Sequence, residues 1–370
     1  MKGNRTQNGG NTRSISLTVT ERCNLACIYC YEHNKSAADM TFETAKRIID
    51  AELRQGMPKE NTYIEFFGGE PFLNFALMRE VYDYILSFYR GKIRLHTCTN
   101  GTLVHGEVQD WLLAHKNFSV GLSVDGTKRA HDLNRSGSFD RIDLDFFLQN
   151  YPSQPAKMTV SGRSLPYLAE GVVFLTEKGF SVACNLAYNI DWKAAENRAV
   201  LAEQLEQLIE YYIANPQREK CKMLDFPIAS LARPQPDGAR VRKYCGTGTS
   251  MVCYSVDGKA YPCQMFSPLS AGDRALLLSD CGITREYDAA LLPAECRACY
   301  YLRICPFCLG CNYLGSGDMY RPEKNRCELY KIIFKANAKL KALEWERGRL
   351  SLDREEEQAL LRSILQIQSL

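Results

Sequence analysis

The stretch ERCNLACIYCYE, residues 21–32, sets Cys23, Cys27 and Cys30 within eight residues at C-x3-C-x2-C spacing. A structural zinc site wants four ligands and usually presents them as two C-x2-C pairs. Three thiolates instead suit three corners of a [4Fe–4S] cube, with one iron left open to an outside ligand. A zinc site completed by His33 is the competing reading. The motif follows directly on ISLTVT (15–20), a strand by its β-branched composition. It therefore lies on the loop at that strand's C-terminal end, the edge where α/β folds place ligands.

Outward from this loop, short β-like runs alternate with amphipathic segments. The further strands are TYIEFF (62–67), IRLHTC (93–98), FSVGLSV (118–124), AKMTVS (156–161) and FSVACNLAY (180–188). Helices are expected from Thr41, a plausible N-cap, to Gln55, then at about 74–90, 105–115, 141–149, 166–178 and 193–214. Six strand–helix units in strict alternation imply parallel strands with right-handed crossovers, an open sheet or partial barrel. Eight units would close a full barrel. After Asn215 the character changes: Pro227, Pro234, Pro236 and Gly238 mark a connector, and a cysteine-rich stretch follows. The expected divisions are a disordered segment 1–14, the α/β unit 15–214, the connector 215–244, the cysteine-rich domain 245–330 and a helical tail 331–370. In that tail Leu360, Ile364 and Ile367 form an apolar stripe.

Composition narrows the class. Of 370 residues, 45% are hydrophobic and 24% charged, as in globular proteins generally, and the net charge is only +3. No Lys/Arg block stands out and no apolar run approaches the ~20 residues of a membrane span, so neither nucleic acid nor membrane is an expected partner. The polar start MKGNRTQNGGNTR is not a secretory signal. A cytoplasmic, reducing setting is expected, where clustered thiols point to metal or redox chemistry rather than disulfides. There are sixteen cysteines: three in the opening motif, nine between Cys245 and Cys327, and Cys98, Cys184, Cys221 and Cys281 apart, read as inert.

With Tyr29 before its last cysteine, the opening motif resembles the signature of the radical S-adenosylmethionine (radical SAM) enzymes. The resemblance implies a partial (β/α)6 TIM-like barrel whose open iron binds S-adenosylmethionine. It also implies an external one-electron donor such as flavodoxin or ferredoxin, and a 5′-deoxyadenosyl radical that takes hydrogen from the substrate. Four further segments follow successive strands in the family's order. In GGEP, Gly68 and Gly69 let backbone approach a ligand closely, and Glu70 can accept from an ammonium. The segment TNG carries Asn100, SVDG carries Ser123 and Asp125, and HDLNR carries Arg135, whose planar fork suits the methionine carboxylate.

The later cysteines resemble the SPASM extension of radical SAM enzymes, which holds two auxiliary Fe–S clusters and occurs in enzymes that modify peptides. The resemblance gives Cys296, Cys299, Cys305 and Cys327 to the distal cluster. It gives Cys245 and Cys263, with Cys308 or Cys311, to the nearer one. Cys308 is preferred and Cys311 is the spare, with Cys253 or an open iron in fourth place. With the first motif this makes three [4Fe–4S] clusters. A ferredoxin-like run lacks its next cysteine, since position 315 is Gly, and a zinc ribbon from Cys296/Cys299 and Cys308/Cys311 is the remaining alternative. The expected function is a peptide maturase that installs a thioether or other side-chain crosslink in a ribosomally made precursor peptide. The alternatives are an anaerobic sulfatase-maturating, formylglycine-forming enzyme and, last, a non-catalytic zinc or Fe–S scaffold. Only about fourteen residues precede the first strand, so leader recognition is expected to be separate, intrinsic to the barrel or unnecessary. No catalytic acid or base can be singled out.

Overall fold

Strand and helix alternate as the hydrophobic pattern requires. The computed structural model describes residues 12–54, 61–89, 93–188, 190, 192, 195–232 and 240–370. Most of the expected disordered segment lies outside these residues, as do Gln55, Pro234, Pro236 and Gly238. The elements of the first part are β1 (Thr12–Thr20), α1 (Phe42–Arg54), β2 (Asn61–Gly68), α2 (Phe75–Phe88), β3 (Ile93–Thr99), α3 (Glu107–Ala114) and β4 (Phe118–Leu122). Then come α4 (Lys128–Asn134), α5 (Leu144–Asn150), β5 (Ala156–Val160), α6 (Leu168–Lys178), β6 (Val182–Leu186) and α7 (Ala195–Ala214). The first strand begins three residues earlier than expected, because Thr12, Arg13 and Ser14 pair with Asn61, Thr62 and Tyr63. The short α4 was not foreseen; it carries the HDLNR segment.

Neighbouring strands are parallel: Leu17 lies opposite Phe66, Glu65 opposite His96, and Cys98 opposite Gly121. Between β4 and β5 the ladder thins to a Ser123–Lys157 bridge, with the Val124 N–H on the Lys157 carbonyl at 3.0 Å. The strand β6 then pairs with β5. Six parallel strands in chain order, with a thin seam and, among the described residues, no strand joining β6 back to β1, make a partial barrel.

Alternation along the strands sorts the two faces. Ile15, Leu17, Val19, Ile64, Phe66, Leu95, Phe118, Val120, Met158, Val160, Val182 and Leu186 are all buried in one core with the apolar stripes of the helices. Cys184 lies in that core, as its strand parity predicts. The opposite parity is polar and faces inward. Removing a buried leucine such as Leu17 from this core would cost about 2–5 kcal/mol.

The cysteine-rich part is stitched to the barrel. It contains β7 (Arg240–Arg242), β8 (Met251–Tyr254), β9 (Ala260–Tyr261), α8 (Pro268–Ala271), β10 (Glu286–Asp288), α9 (Ala294–Arg297) and α10 (Leu309–Ser316). The tail is α11 (Lys324–Glu346) and α12 (Arg354–Gln368). Strand β8 pairs in parallel with β1 on its free side, so both parts share one sheet. Glu52 of α1 seals this join, taking Arg13 at 2.6 and 3.0 Å and the Tyr254 hydroxyl at 2.7 Å. The expected boundary at residue 330 falls inside α11, because Cys327 lies on that helix's first turn. In the tail, Asp353 and Glu356 form a capping box, and Leu360, Ile364 and Ile367 bury against Ile228, Tyr301 and Phe334. Among the described residues, no helix is long and apolar enough to cross a membrane.

Candidate functional site

The cysteine loop leaves β1 and is held against the end of β2 by backbone. The Gly69 N–H bonds the Thr20 carbonyl at 3.2 Å and the Glu70 N–H bonds the Arg22 carbonyl at 2.8 Å. A Cβ on Gly69 would stand 2.4 Å from the Arg22 oxygen and 2.9 Å from the Cys23 Cβ. One on Gly68, at φ +145°, would stand 2.0 Å from the Thr20 oxygen. The glycines were expected to admit a ligand; the room they leave is taken by the loop that carries Cys23. Burial pushes the Cys23 thiol up to about 11, and Cys27 is raised for the same reason. Lys35 donates to the Cys30 sulfur at 3.2 Å, a contact the sequence gave no reason to expect.

Beside the three thiols lies a polar cradle. Glu70 is 1% exposed and accepts from the Thr99 hydroxyl at 2.7 Å and the Asn100 N–H at 2.8 Å. Burial raises its carboxyl to about 7, against the lowering effect of these bonds. A buried carboxyl in that state wants a cation. Asn100 donates to Asn24 of the cysteine loop at 2.9 Å. On the other side Asp125, fully buried, takes the Tyr29 hydroxyl at 2.6 Å, the Thr159 N–H at 2.9 Å and Asn134 at 3.0 Å. Arg135 Nε lies 3.0 Å from the same carboxylate, and its guanidinium stands 5.3 Å from the Tyr29 ring centre. His131 of the HDLNR segment meets the Asp125 N–H with Nδ1, and burial lowers it to about 4, so it stays neutral. Ser123 bonds the Thr99 carbonyl through its N–H at 2.9 Å, at the strand end beside the cradle. Every expected cofactor-binding residue thus lies on the strand ends around the three cysteines or on the elements packed against them.

Comparison with known proteins agrees with this geometry. Residues 17–143 match the Radical SAM superfamily. The first part of the chain thus resembles a radical SAM domain. An uncharacterised protein of Methanocaldococcus jannaschii is 35% identical over 175 residues, 45% of this chain and 59% of that one. A cysteine-type anaerobic sulfatase-maturating enzyme of Clostridium novyi is 30% identical over 158 residues, 37% of this chain and 41% of that one. The chain thus spans less than two thirds of each of these relatives. In fold, the solved structure of anSMEcpe with bound AdoMet and a peptide superposes with TM-score 0.70 at 20% identity, over 90% of this chain and 99% of that one. The likeness in fold spans both the α/β part and the cysteine-rich C-terminal region.

One layer below the cradle, on the barrel's inner face, the radical SAM domain gathers a group that sequence reading passed over. His96 Nε2 lies 3.2 Å from the Cys98 sulfur, and the Cys98 sulfur lies 3.8 Å from Glu65 Oε1. Lys157 donates to Cys98 from across the seam. The Ser16 hydroxyl bonds Glu65 at 2.8 Å, and Gly121 leaves the space into which Cys98, His96 and Lys157 converge. The ligand atoms of Glu65, His96 and Cys98 lie within 4.8 Å of one another. The Lys157 ammonium already supplies positive charge there, so the group suits proton transfer and polar contacts better than a metal ion. Cys98, expected to be an inert strand cysteine, thus lies in a polar group rather than in the apolar core. Half-buried Tyr31 and buried Glu32, just past Cys30, lie where the Glu65 charge reaches them, and burial pushes Glu32 up to about 8.

The later cysteines fall into two groups. Cys296, Cys299, Cys305 and Cys327 act electrostatically on one another, the set expected for the distal cluster. Cys263 feels Cys308 and Cys245, while Cys311 feels Cys308 and Cys263. Cys308 caps α10, with the Cys311 N–H 3.5 Å from its sulfur. Hydrogen bonding from Cys311 is the main cause that draws Cys308 down to about 6. Cys253 stands apart: it lies opposite Ser16 on the inner face, 3.7 Å from the Thr18 hydroxyl, and the charges that reach it come from Glu65 and Glu32. The structure thus brings Cys311, the expected spare, to the nearer group and turns Cys253 into the barrel. Cys221 and Cys281, read as inert from the sequence, are buried in apolar cores.

The donor sets fit the groups the family implies. Three thiols share the first loop beside the buried Glu70 carboxyl, on which the Arg135 charge acts. Eight more act on one another in two groups, and the buried Arg326 Nε has no hydrogen-bond partner among the described residues.

Proposed function

We propose that this chain oxidises a small polar side chain of a peptide or protein substrate, taking a cysteine or serine to formylglycine, as an anaerobic sulfatase-maturating enzyme does. The observation that carries the reading is the inner-face group of Glu65, His96, Cys98 and Lys157, next to the strand ends that would hold S-adenosylmethionine. A charged, hydrogen-bonding wall favours a polar target over an aliphatic one. Cys23, Cys27 and Cys30 would hold the first [4Fe–4S] cluster. Glu70 would take the methionine ammonium and Arg135 its carboxylate. When bound and reduced by an external donor such as flavodoxin or ferredoxin, this cofactor supplies a 5′-deoxyadenosyl radical that takes a hydrogen atom.

The chain's own residues hold the target and receive its proton. For a cysteine target, one hydrogen atom leaves Cβ, the thiol proton passes to the inner-face group, and one electron passes to an auxiliary site. The thioaldehyde so formed adds water and releases hydrogen sulfide, leaving the aldehyde. Sixteen thiols suit a reducing, cytoplasmic setting.

The crosslinking reading shares the first step and then needs a vacant iron for the substrate thiolate. Four thiols in the nearer group would leave no such vacancy, which favours formylglycine; the clostridial relative supports the same choice. The test is anaerobic incubation of reconstituted protein with S-adenosylmethionine, reductant and peptides carrying cysteine or serine. Loss of sulfur and two hydrogens with gain of one oxygen from a cysteine peptide supports the proposal. Loss of two hydrogens alone points to a crosslink, and absence of 5′-deoxyadenosine to a non-catalytic scaffold; either result overturns it.

A further inference from the structure

Arg326 sits on the first turn of α11, immediately before Cys327. Its guanidinium carbon lies 3.6 Å from the ring centre of Tyr188, just past the last barrel strand, and 5.4 Å from that of Tyr330. One terminal nitrogen donates to the Tyr330 hydroxyl at 3.2 Å. Its Nε is buried and donates to nothing. Among the described residues no carboxylate forms an ion pair with it, and its strongest favourable partners are tyrosines and Cys311. A cation drawn out of water without an anion is costly, so the fold must supply negative charge by other means.

Neighbouring cysteines would supply that charge as thiolates on a cluster. The Arg326 charge acts on Cys308 and Cys311 of the nearer group and on Cys305 and Cys327 of the distal group. It thus reaches members of both groups, and in sequence it directly precedes Cys327. Tyr188, on which it stacks, feels Cys308 and Cys311 as well, so this cation marks the junction of barrel and cysteine-rich region.

We infer that Arg326 is the counter-cation of the auxiliary iron–sulfur sites and raises their reduction potentials. A [4Fe–4S] centre on four thiolates is an anion, and each added electron makes it more negative. Net charge and hydrogen bonding around the sulfurs are what set its potential. A fixed, partly desolvated cation stabilises the reduced form more than the oxidised one. No bond forms or breaks at Arg326; its charge offsets that of the electron released by the substrate radical. The inference rests on the auxiliary-cluster reading and adds the group that makes those sites electron acceptors. Arginine suits the role better than lysine because its planar fork stacks on Tyr188 and keeps its charge at any working pH.

The test compares reconstituted full-length protein, Arg326→Gln and Arg326→Lys by iron analysis and redox titration followed by EPR. Arg326→Gln should weaken electron affinity at an auxiliary site at least tenfold, ~59 mV for a one-electron couple. The first-loop signal should stay unmoved, and Arg326→Lys should keep potentials near wild type. Unchanged auxiliary potentials in fully loaded Arg326→Gln overturn the inference. If Arg326→Gln fails to load, Arg326→Lys decides: full iron at wild-type potentials supports the charge role, and equal iron loss overturns it. Wild-type protein with iron for one cluster only would instead sink the auxiliary-cluster reading on which the inference stands.

Discussion

The hydroxyl of Tyr29 donates to the Asp125 carboxylate at 2.6 Å, tying the loop that carries Cys27 and Cys30 to the end of β4. The same carboxylate neutralises Arg135 at 3.0 Å. The aromatic residue before the third cysteine is thus a strut between the cluster loop and the side chain expected to meet the methionine carboxylate. Tyr29→Phe removes one hydrogen bond to a buried anion, worth about 1.5–3 kcal/mol. S-adenosylmethionine affinity should fall roughly tenfold or more, with iron content unchanged, as read by anaerobic calorimetry and iron analysis. Asp125→Asn should do more, because it leaves Arg135 without its counter-charge, and should lower the urea midpoint as well.

With Glu70 as the proposed partner of the methionine ammonium, cofactor binding should depend on pH. Its carboxyl is raised by burial to about 7, above the usual carboxylate range. Where the folded chain keeps a proton that the unfolded chain has lost, stability falls as pH rises; this window runs from about 4.5 to about 7. Binding runs the other way. An ammonium ligand needs the ionised form, so affinity should climb up to tenfold per pH unit below about 7 and level off above it. Calorimetric titrations with S-adenosylmethionine from acid to mildly alkaline pH check this. Glu70→Gln should bind weakly at every pH and show no slope.

How much of this was legible differs by residue. The six strands and most helices could be read because each apolar face has a period of two or near four, as in Ile15, Leu17 and Val19. Glu70, Asn100, Asp125 and Arg135 announced themselves because each lies in a short pattern after a strand. The inner-face group did not, although the parity of IRLHTCT carried the signal. Leu95 faces the helices, so His96 and Cys98 must face inward together. What no strand reveals alone is its neighbours: Glu65 and Lys157 meet them only through barrel curvature and the seam at Ser123. The Lys35–Cys30 and Arg326–Tyr188 contacts were hidden likewise, since both depend on loop paths and domain docking. Likewise, the join of β8 to β1 follows from tertiary pairing that periodicity does not encode.

Cys98→Ala and Lys157→Met should separate cofactor cleavage from substrate chemistry. Neither side chain belongs to the cradle around Glu70 and Arg135, so reductive formation of 5′-deoxyadenosine should persist within about twofold. Substrate turnover should fall by about ten- to a hundredfold, because the inner-face group loses a hydrogen-bonding member that orients the target, a bond to a charged group being worth about 1.5–3 kcal/mol. The decisive readout is the ratio of 5′-deoxyadenosine to modified peptide, which should rise steeply in both variants. An unchanged ratio would return Cys98 to the inert class in which strand position alone had placed it.

The two doubtful cysteines of the C-terminal region make opposite predictions. Cys311 feels Cys308 and Cys263 and sends its N–H to the Cys308 sulfur at 3.5 Å, whereas Cys253 faces Thr18 inside the barrel. A cluster missing one of four thiolates loses iron readily, and replacing a cysteine that is not a ligand does not. Cys311→Ala should therefore lower iron and acid-labile sulfide by about one cluster's worth, and Cys253→Ala should leave both at wild-type levels. The same pair bears on the reaction. If Cys253→Ala alone sheds iron, Cys311 is free, the nearer site is built differently, and an iron open to a substrate thiolate becomes available to crosslinking. Iron loss confined to Cys311→Ala leaves that site saturated by the chain's own sulfurs, fit to accept an electron but not a substrate.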